Sequence, residues 1–169
     1  MGGQGVFANP TGPQVVNGQA SFHTQGSTLT VVNTPGAIIN WQSFSIRPGE
    51  TTYFQQQNAA SAVLNRVQAQ NPALKSTLDG HLGSNGRVFL INPNGVLFGQ
   101  GAQVNVGALV ASTRSISDAD FMAGNMRYTR DGSTGQVINK GRIEVTPGGY
   151  VALLGASVSN EGTIIAPQG

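Results

Sequence analysis

At 169 residues the chain is long enough for one domain with a real core and too short to suggest two. Charged residues make up only 9% of it, and nine Lys and Arg against seven Asp and Glu leave a net charge of +2 with no basic run to track a phosphate backbone, so nucleic-acid binding is unsupported. There is no cysteine, which excludes disulfide and thiolate chemistry. Low charge, 24 glycines and many Asn, Gln, Ser and Thr between short apolar runs instead point to an all-β protein with polar, uncharged corners. The recurrence of those apolar runs argues against low-complexity disorder.

The opening MGGQGVFANP has neither a basic segment nor an apolar core of signal-peptide type, and no apolar run is long enough to span a membrane. The expectation is a cytosolic protein or one whose leader is not part of this sequence. Gly2 to Gly18 reads as a loop with one short strand at Val15-Val16. A hairpin follows, Ala20 to Thr24 and Ser27 to Val32 about Gln25-Gly26, then a turn from Asn33 to Gly36. Ala37 to Ile46 is a β-rich run holding the only tryptophan, closed by Arg47-Pro48-Gly49-Glu50, and Thr51 to Gln55 is a further strand. Ala59 to Val67 fits helix or strand, because Ala60, Val63, Leu64 and Val67 fall at helical spacing while AVLNRV also suits a strand. Asn71-Pro72 ends that element. Leu78-Asp79-Gly80 and Ser84-Asn85-Gly86 are turns, the second with the Asn-Gly pair favoured in tight hairpins.

The stretch Val88 to Val106, VFLINPNGVLFGQGAQVNV, organises the rest. Its apolar runs are too short for helices, and Pro93 removes a donor that a helix interior needs, so it reads strand, turn, strand, turn, strand. Asn92, Asn94 and Gly95 suit such a corner because Asn and Gly tolerate left-handed backbone angles and an asparagine amide bonds to nearby backbone. Ala108 to Ser112 is another short strand. Ser117-Asp118-Ala119-Asp120 caps one helical turn through Phe121 and Met122, stopped by Gly124. Near the end, Val137-Ile-Asn139-Lys-Gly141-Arg-Ile143 is echoed by Val158-Ser-Asn160-Glu-Gly162-Thr-Ile164. That period suits one coil of a β-solenoid, three strands and three corners, with Val137 stacked on Val158 and Asn139 on Asn160. The last residues, Ala166 to Gly169, supply no polar cap, so the coils are expected to continue in a longer protein.

Read together, Asn92-Pro93-Asn94-Gly95-Val96, Ile38-Ile-Asn40-Trp41-Gln-Ser-Phe44-Ser-Ile46, Ala62-Val63-Leu64-Asn65-Arg-Val67 and Gly107-Ala-Leu-Val-Ala-Ser-Thr113 closely resemble the secretion domain of filamentous haemagglutinin-like exoproteins, the passengers of bacterial two-partner secretion. The resemblance covers roughly Gln14 to the end. It implies a right-handed parallel β-helix with an N-terminal β cap and extra-helical strands. On this reading 1–169 is one secretion domain at the N-terminus of a longer exoprotein, with cap over about 1–50 and coils plus an extra-helical hairpin over about 51–169. It also implies secretion to the bacterial cell surface and recognition by the POTRA repeats and β-barrel of a dedicated outer-membrane transporter. Folding at the surface then seeds the β-helix of an adhesin, which meets a host receptor or glycan. Where many members carry NPNL before the AVLN segment, this chain has Gln55-Gln-Gln-Asn58.

Each of these residues has a plainer reading. Asn92 and Asn94 either contact the transporter or satisfy backbone groups at a corner, and the corner reading is favoured. Trp41, Phe44 and Phe54 read as core before they read as a sugar platform. The edge strands of the cap are open to strand addition. His23 and His81 stand apart from other ligand types, so no metal or cofactor is expected. Catalysis on a β-helix needs gathered carboxylates; Asp118 with Asp120 lies in a helix cap, and Glu144 with Glu161 is out of step with the repeat, so no enzyme is expected. A neutral surface rich in Gln, Asn, Ser and Thr leaves direct glycan binding by this domain as the alternative.

Overall fold

The computed structural model describes residues 9–68, 74–129 and 132–167. Two cap strands, β1 (Gln14–Asn17) and β2 (Ala20–Gln25), lead into a rising series of short strands. The first turn of that series is β3 (Thr28–Asn33) and β4 (Ala37–Trp41); the next is β5 (Thr51–Gln55), β6 (Ala62–Val67) and β7 (Ser76–Leu78). Then come β8 (His81–Ser84), β9 (Arg87–Ile91) and β10 (Val96–Phe98), followed by β11 (Gln103–Val106), β12 (Ala108–Ser112), the helix α1 (Asp118–Ala123) and β13 (Gln136–Asn139). The chain closes with β14 (Arg142–Val145), β15 (Val151–Leu154), β16 (Ser157–Asn160) and β17 (Thr163–Ile165).

These strands form three sheets, ordered β1-β4-β6-β9-β12-β15, β7-β10-β13-β16 and β2-β3-β5-β8-β11-β14-β17. Each turn of the chain visits the third sheet, the first and the second, and from β3 onward each strand pairs in parallel with the strand one turn away. That is a parallel β-helix, and in the first turn Ile46 completes the coil by bridging to Leu78. Antiparallel ladders join β1 to β4 and β2 to β3, so antiparallel cap strands close the N-terminal end. Parallel coil pairing reaches back to β3 and β4, inside the stretch 1–50 assigned to the cap.

Side chains at equivalent positions stack up the interior. Leu29, Thr52, Leu82, Val104, Ile143 and Ile164 share one register column of the third sheet, and Ala37, Val63, Val88, Leu109 and Val151 one of the first. Fully burying such a side chain stabilises by about 1.5–3 kcal/mol, so the columns are the main cohesive term. Because successive strand residues face opposite ways, the first sheet also has an outer apolar column of Ile38, Leu64, Phe89 and Val110. It is covered by Ile116 and Phe121 of the α1 excursion. Ser117 caps α1 by accepting from Asp120 N at 3.1 Å, Gly124 ends it at φ 77°, and an ion pair between Arg66 and Asp118 ties it to β6.

The strands at Val15-Val16, Thr51 to Gln55 and Val88 to Val106, the cap hairpin and the single helical turn stand where the sequence puts them. Val137 faces Val158 and Asn139 faces Asn160, as the repeat requires. Three expectations change. Ala59 to Val67 resolves as strand, since Leu64 faces the outer layer while Val63 and Asn65 face the core. The run from Ala37 ends its strand at Trp41, and Phe44 and Ile46 enter the core from a bend. Asn85-Gly86 makes no hairpin: Ser84 and Arg87 belong to different sheets, so the pair is a corner of the coil. The Asn71-Pro72 break lies outside the described residues.

Candidate functional site

The NPNG corner turns the chain from the first sheet into the second. Pro93 has no N–H to satisfy there, and Gly95 adopts φ 129°, a backbone state that L side chains rarely occupy. Asn92 is fully buried and uses its whole amide. Oδ1 accepts from Asn94 N at 2.9 Å, while Nδ2 donates to Leu74 O and Ser76 Oγ, both at 3.0 Å, one coil below. Its backbone N–H donates upward to Ser112 O at 2.9 Å. One asparagine therefore fastens three successive coils, as buried polar groups in a packed interior require. Asn94 is half-buried, its Nδ2 reaching Leu74 O at 3.4 Å, and Val96 is buried in the interior column with Val137. A groove of about 670 Å³ runs past the corner between Lys75, Asn94, Leu97 and Gln136.

The second family-like segment lies nearer the cap, Ala62 to Asn65 one coil below the NPNG corner and Asn40 to Phe44 two. Trp41 donates through Nε1 to Asn65 Oδ1 at 2.8 Å, and Asn65 Nδ2 donates to Phe89 O at 3.2 Å, with both residues at 0% exposure. Trp41 meets Phe22 and Phe44 edge-on at 5.6 Å, and Phe44 stacks on Phe54 at 6.3 Å. These aromatics are core, closing the cap end of the coil. Asn40 has its Oδ1 buried without a hydrogen-bond partner among the described residues. Ala62 and Leu64 face the outer apolar layer, Val63 the interior. Asn65 pairs in register with Leu90 on β9, the strand that leads directly into Asn92, so the two segments adjoin through one ladder.

A third set of amides was not singled out from the sequence. Asn33 Nδ2 donates to Gln56 Oε1 at 3.2 Å, and Gln56 Nε2 donates to Ser84 Oγ at 3.1 Å and Arg87 O at 2.9 Å. Asn85 brackets the Gln56 backbone, accepting from N and donating to O, each at 2.8 Å. Gln56 lies in the Gln55-Gln-Gln-Asn58 segment, so this stretch builds a buried corner ladder of its own. On the opposite corner Asn139 Nδ2 donates to Asn160 Oδ1 at 2.9 Å.

The other candidates stay apart. His81 Nε2 lies 3.1 Å from Asn105 Nδ2, and no group of His, Asp and Glu able to hold a metal occurs among the described residues. Asp118 is engaged by Arg66, and Glu144 lies 3.4 Å from Arg142 and opposite Ile165 rather than Glu161. Burial pushes the Tyr128 hydroxyl well above its ordinary range, with Tyr150 adding to the shift.

Comparison with known proteins bears on this arrangement directly. A family model described as the TPS secretion domain matches residues 7–169. A heme/hemopexin-binding protein of Haemophilus influenzae is 41% identical over 165 residues, covering 93% of this chain and 18% of that protein. Another H. influenzae protein of the same name is 36% identical over 105 residues, covering 62% of this chain and 11% of the relative. The crystal structure of the HMW1 secretion domain from H. influenzae superimposes with a TM-score of 0.86 at 40% identity, covering 92% of this chain and 42% of that one. The chain thus spans less than a fifth of the length of the curated relatives it matches.

Proposed function

The chain belongs to the TPS secretion-domain family, and from that premise we propose that it is the address and folding seed of a two-partner secretion exoprotein, with no catalytic role of its own. In this reading the POTRA repeats of an outer-membrane transporter bind the chain while it is unfolded. It passes through the transporter's barrel, folds at the cell surface, and offers its last coil to the passenger that follows.

The observation that supports this best is the difference between the two ends of the coil. Antiparallel strands close the N-terminal end, whereas all three sheets finish on strands of the last turns, with Val151, Leu153 and Ile164 only half-buried. Parallel edges with half-covered apolar columns favour addition of another coil in register. Each added coil buries more apolar surface outside the cell, which biases movement outward without a nucleotide.

We assign Asn92 a role in the folded corner, where its amide is engaged inside the coil, and propose that the unfolded chain is bound without it. Binding of urea-unfolded chain to isolated POTRA repeats tests both parts. The expected result is binding that Asn92→Ala leaves unchanged, together with lost secretion of that variant from cells. Absence of any POTRA binding, or undiminished secretion of a chain lacking residues 14–120, would overturn the address reading.

A further inference from the structure

Three asparagines precede glycine: Asn17, Asn85 and Asn94. In that dipeptide the following amide nitrogen, unhindered by a side chain, can reach the asparagine Cγ. The glycine nitrogen attacks Cγ, a C–N bond closes a five-membered succinimide, and the side-chain nitrogen leaves as ammonia, taking up the amide proton. Water then opens the ring at either carbonyl to give aspartate or isoaspartate, with nothing oxidised or reduced. Asn92 has no such route, because the Pro93 nitrogen carries no proton.

The reaction needs a glycine N–H free of hydrogen bonds and an asparagine side chain free to swing onto it. Folding removes these freedoms unequally. Around Asn85 both amide atoms bond to Gln56 backbone at 2.8 Å and Gly86 N–H donates to Ser84 Oγ at 3.0 Å. At the NPNG corner Gly95 N–H donates to Asn92 O at 3.0 Å, and Asn94 Nδ2 reaches Leu74 O. Asn17 donates to Gly36 O at 3.1 Å from a cap strand at the sheet edge, beside an exposed Gly18.

We infer that Asn94 is a modification site gated by folding: open to deamidation in the unfolded chain, closed in the coil, and incompatible with the coil once isoaspartate has formed. Isoaspartate adds a methylene to the backbone. That carries Gly95 N–H away from Asn92 O and moves Val96 out of register with Ser76 and Val137. The folded corner thus records how long the chain stayed unfolded. This inference concerns any unfolded interval and does not rest on the transporter reading.

The test compares the purified chain aged at mildly alkaline pH in native buffer and in urea, with products mapped by mass spectrometry and isoaspartyl methyltransferase labelling. In urea the three sites are expected to convert at comparable rates. In native buffer Asn94 and Asn85 slow by at least about a hundredfold, the factor set by local opening, and Asn17 is the least protected. Equal rates at Asn94 in the two buffers would overturn the gating. The urea-aged chain is then diluted to refold, and folded and unfolded pools are separated by size exclusion. Isoaspartate at 94 is expected to concentrate in the unfolded pool, with isoaspartate at 17 in both; an even split at 94 would overturn the incompatibility.

Discussion

Val137 and Val158 occupy the same position in successive coils, yet Val137 is 0% exposed and Val158 46%. Nothing local separates them, since each begins the same Val-x-Asn-x-Gly corner; the difference is the coil above. At the other end the chain supplies its own cover by packing and strand pairing. The β2 hairpin lays Phe22 against Trp41, β1 covers the edge of β4, and Trp41, Phe44 and Phe54 fill the bore. Burial in a β-helix is conferred by the neighbouring turn, so the N-terminal columns are covered by the cap while those of the last coil stay half-exposed.

The sharpest way to break the contrast is to open the closed end. Trp41→Ala removes the largest buried side chain and leaves Asn65 Oδ1 without its indole donor, so a loss of about 3–5 kcal/mol is expected from urea unfolding followed by circular dichroism. Asn92→Ala acts in the middle of the coil. Asn94 N, Ser76 Oγ and Leu74 O all lose their amide partner, and about 2–4 kcal/mol should be lost by the same measurement. Gly95→Ala keeps those bonds but forces a side chain into φ 129°, where it also meets Gln136 O at 3.3 Å. The expected cost is about 1–3 kcal/mol.

How much of this was legible in the sequence follows from the same geometry. Corners are local, and so Pro93, Gly95, Ser117 and Gly124 announced themselves by residue type. The stack is not local. The 21-residue step from Asn139 to Asn160 is visible because nothing interrupts that coil. Between β10 and β13 the α1 excursion nearly doubles the distance from Val96 to its partner Val137, which hides the period. The bond from Trp41 to Asn65 spans 24 residues and that from Gln56 to Ser84 spans 28, so no fixed spacing flags either amide as interior. Asn85-Gly86 misled for a related reason: the dipeptide specifies a tight bend, and only the sheets on either side decide between hairpin and corner.

The smallest effect is also the one that decides whether the open end is a template. In the 169-residue chain Val158→Ala should change stability by no more than about 0.5 kcal/mol, because its side chain is half in water. Val137→Ala, in the same column one coil below, should cost about 1.5–3 kcal/mol. If the end receives another turn, extending the chain by one further coil buries Val158 as Val137 is buried now. The cost of Val158→Ala then rises toward that of Val137→Ala, while the Val137→Ala cost stays fixed. If the extension instead folds as a separate unit, the two substitutions keep their original difference, and the last coil is an ordinary solvent-facing edge rather than a seed.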